Sequence, residues 1–131
     1  MSSPAWKSEA GSAVVEFTFV AVLLTVLTLA VLQLGLALHI RNTVLDAAAE
    51  GARFAALADN GPADGIERTR ELITVAIGPD FARNVSARTG TFLGHASVEI
   101  TVVTRLPVIG LVGAEEALEV SGHAAIETLE D

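Results

Sequence analysis

The sequence predicts an α+β protein in which a long N-terminal transmembrane helix extends into a small domain with a second helix and a short antiparallel sheet. Three observations lead to this fold class. Residues 17–38 form a run of 22 residues without a formally charged side chain. Apolar residues then recur at helical spacing to about residue 58. Beyond residue 83 they alternate with polar residues, as in half-buried strands.

The uncharged run is long enough to cross a bilayer. A helix rises 1.5 Å per residue, so this run spans roughly 33 Å, against about 30 Å of hydrocarbon. A secretory signal peptide is the alternative, but its apolar core is normally about 7 to 15 residues long and ends at a small-residue cleavage site. Here the run is longer and is followed by His39, Ile40 and Arg41. We therefore expect one transmembrane helix over about residues 17–38.

The helix is predicted to continue to about residue 58. No proline lies between Leu38 and Ala58, and alanine, the best helix former, recurs throughout that stretch. One side of the extension is apolar and the other is polar. The apolar side consists of Ile40, Val44, Ala47, Ala48, Gly51, Phe54 and Ala55, and the polar side of Arg41, Asp46, Glu50 and Arg53. Glu50 and Arg53, three residues apart, are expected to form an ion pair.

Turn residues separate this helix from a second one. The sequence from Asp59 to Pro62 is typical of a turn that stops a helix. Asp64 and Glu67 have the spacing of a capping box, which predicts a second helix from about Ile66 to Ile77. Gly78 and Pro79 then end it.

The last third of the chain is predicted to form strands. Val98, Ile100 and Val102 alternate with polar residues, and a second alternating segment runs from Leu118 to Ile126. A third strand is predicted over Val85 to Arg88, with an extension toward Leu93. The pattern leaves the strand order open, and an antiparallel sheet resting on a helix is the simplest way to bury the apolar faces.

Charge and composition argue against several classes of function. Residues 59–131 carry 12 acidic and 5 basic side chains, a net charge of −7. Nucleic-acid binding depends on Lys and Arg, so no nucleic-acid partner is expected. The chain has no cysteine, and His39, His95 and His123 do not share metal-ligand spacing. We therefore expect no enzyme activity, no metal site and no cofactor.

The start of the chain resembles a known processing signal. A short polar leader ends in Gly11 and is followed by Glu16, Phe17 and the apolar run, an order that resembles the type IV prepilin signal. Residues 47–55 are similar to the segment after the membrane helix in the TadE-like family, the minor pilin-like proteins of the tight-adherence (Flp) pilus. The resemblance covers about residues 11–56. The Gly-x-x-x-x-Glu-Phe pattern is weak alone, and its place before the uncharged run makes it more specific.

This resemblance implies a minor pilin or pseudopilin that takes part in pilus assembly. A prepilin peptidase would cut between Gly11 and Ser12 and give Ser12 a new α-amine, about one helical turn from Glu16. The resemblance suggests contact between that amine and the Glu16 carboxylate as the assembly device, with Phe17 completing the recognition segment. The implied partners are the prepilin peptidase, other pilus or pseudopilin subunits, the membrane assembly platform and membrane lipid.

The predicted organisation has three parts. Residues 1–11 form the leader, residues 12–58 the long helix, and residues 59–131 a small extracytoplasmic α+β domain. Lys7 and Arg41 flank the apolar run, so charge bias alone leaves the orientation undecided. The resemblance implies a single pass through the bacterial cytoplasmic membrane, with the N-terminus in the cytoplasm, and incorporation in a pilus.

Alternatives remain for the whole chain and for single residues. The chain could be an uncleaved single-pass signal-anchor protein whose exterior domain binds or senses a partner, and Glu16 could only mark the membrane boundary. Gly35 and Gly51, with Glu50 and Arg53 beside Gly51, are candidates for close helix packing. The alanines around Gly51 are equally explained by helix propensity. The threonines of the apolar run are expected to bond their own backbone carbonyls.

Overall fold

The computed structural model describes residues 5–107 and 117–127, with side chains from Ser8 onward. Its elements are α1 (Ala5–Ala56), α2 (Pro62–Ile77), a 3-10 turn (Pro79–Ala82), β1 (Asn84–Phe92), β2 (His95–Arg105) and β3 (Ala117–Ala125). The predicted α+β class is confirmed, with a long apolar N-terminal helix, a second helix and an antiparallel three-stranded sheet. Internal contacts divide the chain into two compact units, one ending at Gly35 and the other beginning at Leu36.

Helix α1 is continuous over 52 residues. The part from Ser8 onward is long and apolar enough to cross a membrane. The hydroxyls of Thr18, Thr25 and Thr28 donate to the carbonyl oxygens four residues earlier at 2.7–2.8 Å, as expected from the sequence. These threonines therefore satisfy their polar groups within the helix itself. The helix ends at Ala56, two residues before the predicted end.

Helix α2 begins at Pro62, four residues earlier than predicted. The Asp64 carboxylate accepts a hydrogen bond from the Gly61 N–H at 2.8 Å, so the prediction that Asp64 and Glu67 form a capping box was wrong. Pro62 suits the first helical position because its fixed φ is already helical and the N–H it lacks has no partner there. The predicted end at Ile77 is confirmed, and the Gly78 N–H bonds the carbonyls of the last turn.

The sheet is an antiparallel meander in the order β1-β2-β3. Its register pairs Arg88 with Glu99 and Glu99 with His123. A two-residue turn, Leu93-Gly94, joins β1 to β2, and both residues have positive φ, 51° and 81°. Tight hairpins need this geometry, which glycine adopts freely, whereas the left-handed conformation costs a residue such as leucine about 1–2 kcal/mol.

One face of the sheet packs against α2 and against the part of α1 that follows Leu36. The core residues come from α1, α2 and all three strands, and the innermost are Val44, Ala48, Ala52, Thr69, Ile73, Val98, Ile100 and Val102. Phe54 was predicted on the packed side of α1, and this was wrong, because it is 36% exposed with the Arg68 guanidinium 6.0 Å from its ring.

Glycines lie at two close approaches between elements of this unit. A Cβ atom built at Gly65 of α2 would lie 2.8 Å from the carbonyl oxygen of Gly51 in α1. A Cβ built at Gly122 of β3 would lie 2.6 Å from the carbonyl carbon of Ala48. Real Cβ atoms do not approach other heavy atoms so closely, so only glycine fits at these positions. The small residues of α1 thus allow α2 and β3 to lie directly on its backbone.

Candidate processing and assembly segment

Gly11 and Ser12 lie on the exposed surface of α1. Beyond its chain neighbours and its own helix backbone, a Cβ built at Gly11 would meet nothing described within 4 Å, and Ser12 is exposed as well. A glycine inside a helix is less favourable than alanine by roughly 0.5–1 kcal/mol because its backbone loses more entropy. Gly11 therefore lowers the local helix stability of α1 at this point. Residues 1–4 of the predicted leader lie outside the described residues.

Glu16 and Phe17 follow one turn later, at the start of the uncharged run. Glu16 is exposed, and Phe17 has 75% of its surface exposed. Among the side chains that the structure describes, none forms an ion pair with Glu16. Four residues of helix place Ser12 and Glu16 about 6 Å apart along the axis and on one face. An amine at Ser12 would therefore be within reach of this carboxylate.

The large apolar side chains of α1 from Val14 to Leu38 are exposed. Their exposed fractions are 47–75%, and they include Phe19, Leu23, Leu27, Val31 and Leu34. A patch of this size on a soluble monomer would mark a contact surface. Its length matches the hydrocarbon thickness, so lipid or neighbouring apolar helices are the surroundings it fits.

The four helix-packing candidates have different environments. Gly35 is exposed, and a Cβ built there would meet nothing within 4 Å. Gly51 is buried inside its own unit, against Gly65 and Thr69 of α2. Glu50 and Arg53 pair at 3.3 Å with side chains 46% and 70% exposed. An exposed pair of this kind adds little stability. Gly35 is thus the candidate whose surface is free to contact another helix. Gly51 instead allows the close packing of α2 on α1.

The face of the sheet turned away from the helices carries a polar cluster that sequence reasoning missed. The Glu99 carboxylate accepts from Arg88 Nη2 at 3.0 Å and Arg88 Nε at 3.3 Å, and from Thr101 Oγ1 at 3.2 Å. The Nε2 atom of His123 lies 3.1 Å from the same carboxylate. Arg88, Glu99 and His123 lie on three different strands, and only the strand register brings them together.

This cluster holds the three strands together across their open face. The Arg88 hydrogen bonds lower the pKa of Glu99 most, desolvation opposes that effect, and the bonds from His123 and Thr101 lower it further. The Phe92 ring stacks on the His123 imidazole with centroids 4.3 Å apart. The carboxylate is thus fully engaged in bonds to its neighbours. The arrangement is that of a structural network, and the cavity beside it is open and only about 260 Å³.

These features describe a protein with one long apolar N-terminal helix that carries a small α+β domain. Residues 11–53 match the family model of the TadE-like proteins, so the resemblance seen in the sequence is confirmed over this segment. The match contains Gly11, Ser12, Glu16, Phe17, Gly35, Glu50, Gly51 and Arg53. It suggests a protein associated with the tight-adherence pilus. Neither the curated proteins nor the solved structures gave a match to the chain.

Proposed function

We propose that this chain is a minor pilin or pseudopilin that takes part in assembly of a tight-adherence pilus after its leader is removed. The observation that carries the proposal is the TadE-like segment, which begins at Gly11 and contains both Glu16 and the uncharged run. In this role the chain acts by binding other subunits and has no catalytic activity. Its partners are a prepilin peptidase, other pilus subunits, the membrane assembly platform and lipid.

Processing and pairing follow from the positions of Gly11, Ser12 and Glu16. The peptidase cuts after Gly11, and the new amine of Ser12 meets the Glu16 carboxylate of its own chain or of a neighbour. When apolar helices pack together in a fibre, Glu16 moves from the membrane edge into surroundings of lower polarity. Desolvating an unpaired carboxylate there costs free energy, and pairing it with an amine lowers that cost. The pair therefore favours the assembled position of the helix.

The proposed topology places the leader in the cytoplasm and the chain from Arg41 onward outside the cytoplasmic membrane. A protease added to intact spheroplasts should then digest the C-terminal domain. A known exported protein serves as the positive control and a cytoplasmic protein as the negative control. Protection of the domain while the exported control is degraded would reverse the topology and remove the pilus assignment.

N-terminal sequencing of the membrane-bound protein tests the proposal most directly. The processed subunit should begin at Ser12 in cells that contain the prepilin peptidase and retain the leader in cells that lack it. If the N-terminus stays near Met1 in both strains, the chain is an uncleaved signal-anchor protein, and its exterior domain binds or senses a partner instead.

A further inference from the structure

The turn between α1 and α2 contains the pair Asn60-Gly61. Gly61 directly precedes Pro62, the first residue of α2. An asparagine followed by glycine is chemically labile, because glycine has no side chain to hinder attack of its own backbone nitrogen on the asparagine side-chain carbonyl. The other asparagines, Asn42 and Asn84, are followed by threonine and valine, whose β-branched side chains crowd the backbone nitrogen. Asn60 is therefore the asparagine of this chain with the least hindered neighbour.

The side chain of Asn60 closes the end of α1. Its Nδ2 atom donates a hydrogen bond to the Phe54 carbonyl oxygen at 2.9 Å, and its backbone N–H donates to the Leu57 carbonyl oxygen at 3.0 Å. The last carbonyl groups of a helix have no partner within the helix, and Asn60 supplies a donor to one of them. The nitrogen that leaves in a deamidation, Nδ2, is thus engaged in a hydrogen bond of the folded domain.

Gly61 is held by the first turn of α2. Its N–H donates to the Asp64 carboxylate at 2.8 Å, and its carbonyl oxygen accepts from the N–H groups of Asp64 and Gly65 at 3.1 Å and 3.3 Å. The attacking group in a deamidation is the Gly61 nitrogen after it loses its proton. The Asp64 carboxylate disfavours the anion formed by that loss, because a nearby like charge opposes ionisation. The folded turn therefore restrains both the attacking and the leaving nitrogen.

We infer that Asn60 is a site of spontaneous deamidation, which the folded turn slows and which opening of the turn releases. The Gly61 nitrogen forms a bond to Cγ of Asn60, and its proton passes through water to the departing Nδ2 group, which leaves as ammonia. The product is a five-membered succinimide ring. A water molecule then opens the ring at either carbonyl and leaves aspartate or isoaspartate at position 60. This inference goes beyond the proposed function and does not depend on cleavage of the leader.

The reaction should weaken the junction between the two helices. A carboxylate at position 60 cannot donate to the Phe54 carbonyl, and its negative charge lies near the C-terminal end of α1, where the helix dipole disfavours anions. An isoaspartate also lengthens the main chain of the turn that holds Gly61 against Asp64. Asn60→Asp should therefore melt at a lower temperature than the parent. Asn84→Asp is the matched control, because Asn84 is exposed at the start of β1, and it should melt with the parent.

Peptide mass spectrometry of the detergent-solubilised full-length chain tests the site. The chain is incubated at a mildly alkaline pH, once folded and once in guanidinium chloride, and the conversion of each asparagine is followed with time. In the unfolded chain Asn60 should convert many-fold faster than Asn84, and in the folded chain its conversion should slow several-fold. Equal rates at Asn60 and Asn84 in the unfolded chain would remove the site. Equal rates at Asn60 in the two states would remove the protection.

Substitutions at Asp64 test how the turn protects Asn60. Asp64→Ala removes both the acceptor and the charge beside the Gly61 N–H, so Asn60 should convert several-fold faster than in the folded parent. Asp64→Asn keeps an acceptor and should give an intermediate rate. Asp80→Ala is the matched control, since it removes a carboxylate that forms only an exposed pair beyond the other end of α2, and the Asn60 rate should stay parental.

Circular dichroism shows whether each variant is folded during the incubation. A parental Asn60 rate in folded Asp64→Ala would overturn the role of the hydrogen bond between Gly61 and Asp64. If Asp64→Ala unfolds, its Asn60 rate should equal that of the parent in guanidinium chloride, and a rate as slow as that of the folded parent would again contradict the protection.

Discussion

Gly122 of β3 lies directly on the backbone of Ala48 in α1. A Cβ atom at Gly122 would come within 2.6 Å of the Ala48 carbonyl carbon and within 2.7 Å of its oxygen. The contact fixes how closely the sheet approaches the helix, and Val44 and Val120 belong to the same buried core. One methyl group at this position is therefore expected to disturb the whole helix-sheet contact.

Gly122→Ala should lower the free energy of unfolding by about 1–3 kcal/mol, the usual cost of adding a methylene group to a filled core. Thermal unfolding of the detergent-solubilised chain, followed by circular dichroism, measures the change. Gly90→Ala on β1 is the matched control, because a Cβ at Gly90 would meet nothing within 4 Å. If both variants melted together with the parent, the close approach of β3 to α1 would be refuted.

Gly51→Ala and Gly35→Ala should affect different properties. At Gly51 the new methyl group would collide with Thr69 and with the Gly65 carbonyl, so the domain should melt at a lower temperature. At Gly35 the methyl group has open space within its own chain, so melting should not change. If Gly35 packs against another helix, cross-linking between subunits in the membrane should fall. Equal cross-linking in Gly35→Ala and the parent would leave Gly35 without a role in packing.

The free energy of unfolding of the domain should decrease at acidic pH, because Glu99 then becomes protonated. Its pKa is lower in the folded protein than its ordinary value of 4.5, chiefly because Arg88 bonds the ionised form. The ionised Glu99 therefore stabilises the folded domain in full when the pH is above the ordinary pKa of 4.5. This stabilisation is lost as the pH falls toward the lower pKa that Glu99 has in the folded protein. Arg88 from β1 and His123 from β3 are the charged or titratable groups that contact this carboxylate.

Glu99→Gln should therefore melt at a lower temperature than the parent at neutral pH and lose less stability on acidification. Melting temperatures recorded from pH 7 downward give both quantities. Glu71→Gln is the control, since Glu71 forms only an exposed pair with Arg68 at 3.5 Å, and such pairs contribute little. A Glu99→Gln curve parallel to that of the parent would show that the network does not stabilise the domain.

Gly11→Leu should accumulate as an uncut precursor. Leucine adds a bulky side chain beside the scissile bond and makes the helix harder to unwind, because it is a better helix former than glycine. Pulse-chase labelling in cells with the prepilin peptidase follows the loss of the leader. Gly11→Ala, which keeps a small side chain, should still be cut. Processing of the leucine variant at the parental rate would show that cleavage does not occur after Gly11.

Glu16→Gln should separate membrane insertion from assembly. Glutamine keeps the size and hydrogen-bonding capacity of glutamate but removes the charge that the Ser12 amine would meet. Losing a carboxylate at the membrane edge does not hinder insertion. The variant should reach the membrane and be cut normally, yet cross-link less to other pilus subunits and give fewer surface fibres. Fibres at the parental level would mean that Glu16 only marks the membrane boundary.

Local patterns predicted most of the fold. The apolar run, the alanine-rich extension and the alternation around Ile100 depend on neighbouring residues, so α1, α2 and the strands were all found. Phe54 was misplaced because helical spacing puts it beside the apolar positions of α1, whereas in the folded domain it is 36% exposed. The start of α2 was misplaced because Asp64 suits two positions in a first turn, and only the Gly61 hydrogen bond distinguishes them.

The polar network and the close contacts could not be predicted for a different reason. Arg88, Glu99 and His123 are far apart in the chain, and their meeting depends on two strand registers. The Leu93-Gly94 turn joins β1 to β2 and places Arg88 beside Glu99, and the pairing of β2 with β3 places His123 there. Gly122 interrupts the apolar alternation of β3 and therefore carried no signal of burial. Gly11 and Glu16 were singled out by a local sequence pattern, and both lie in the segment that the TadE-like family model matches.

The small size of the side chains between α1 and the sheet also affects how the domain responds to temperature. Among the described residues, every buried hydrophobic side chain is alanine, valine or isoleucine. Unfolding raises the heat capacity by about 0.45 cal/K/mol for each Å² of apolar surface exposed, and small side chains expose little. The domain should therefore have a low heat-capacity change for its length. A low value flattens the dependence of stability on temperature, so the exported domain should lose stability only slowly on cooling or on moderate warming.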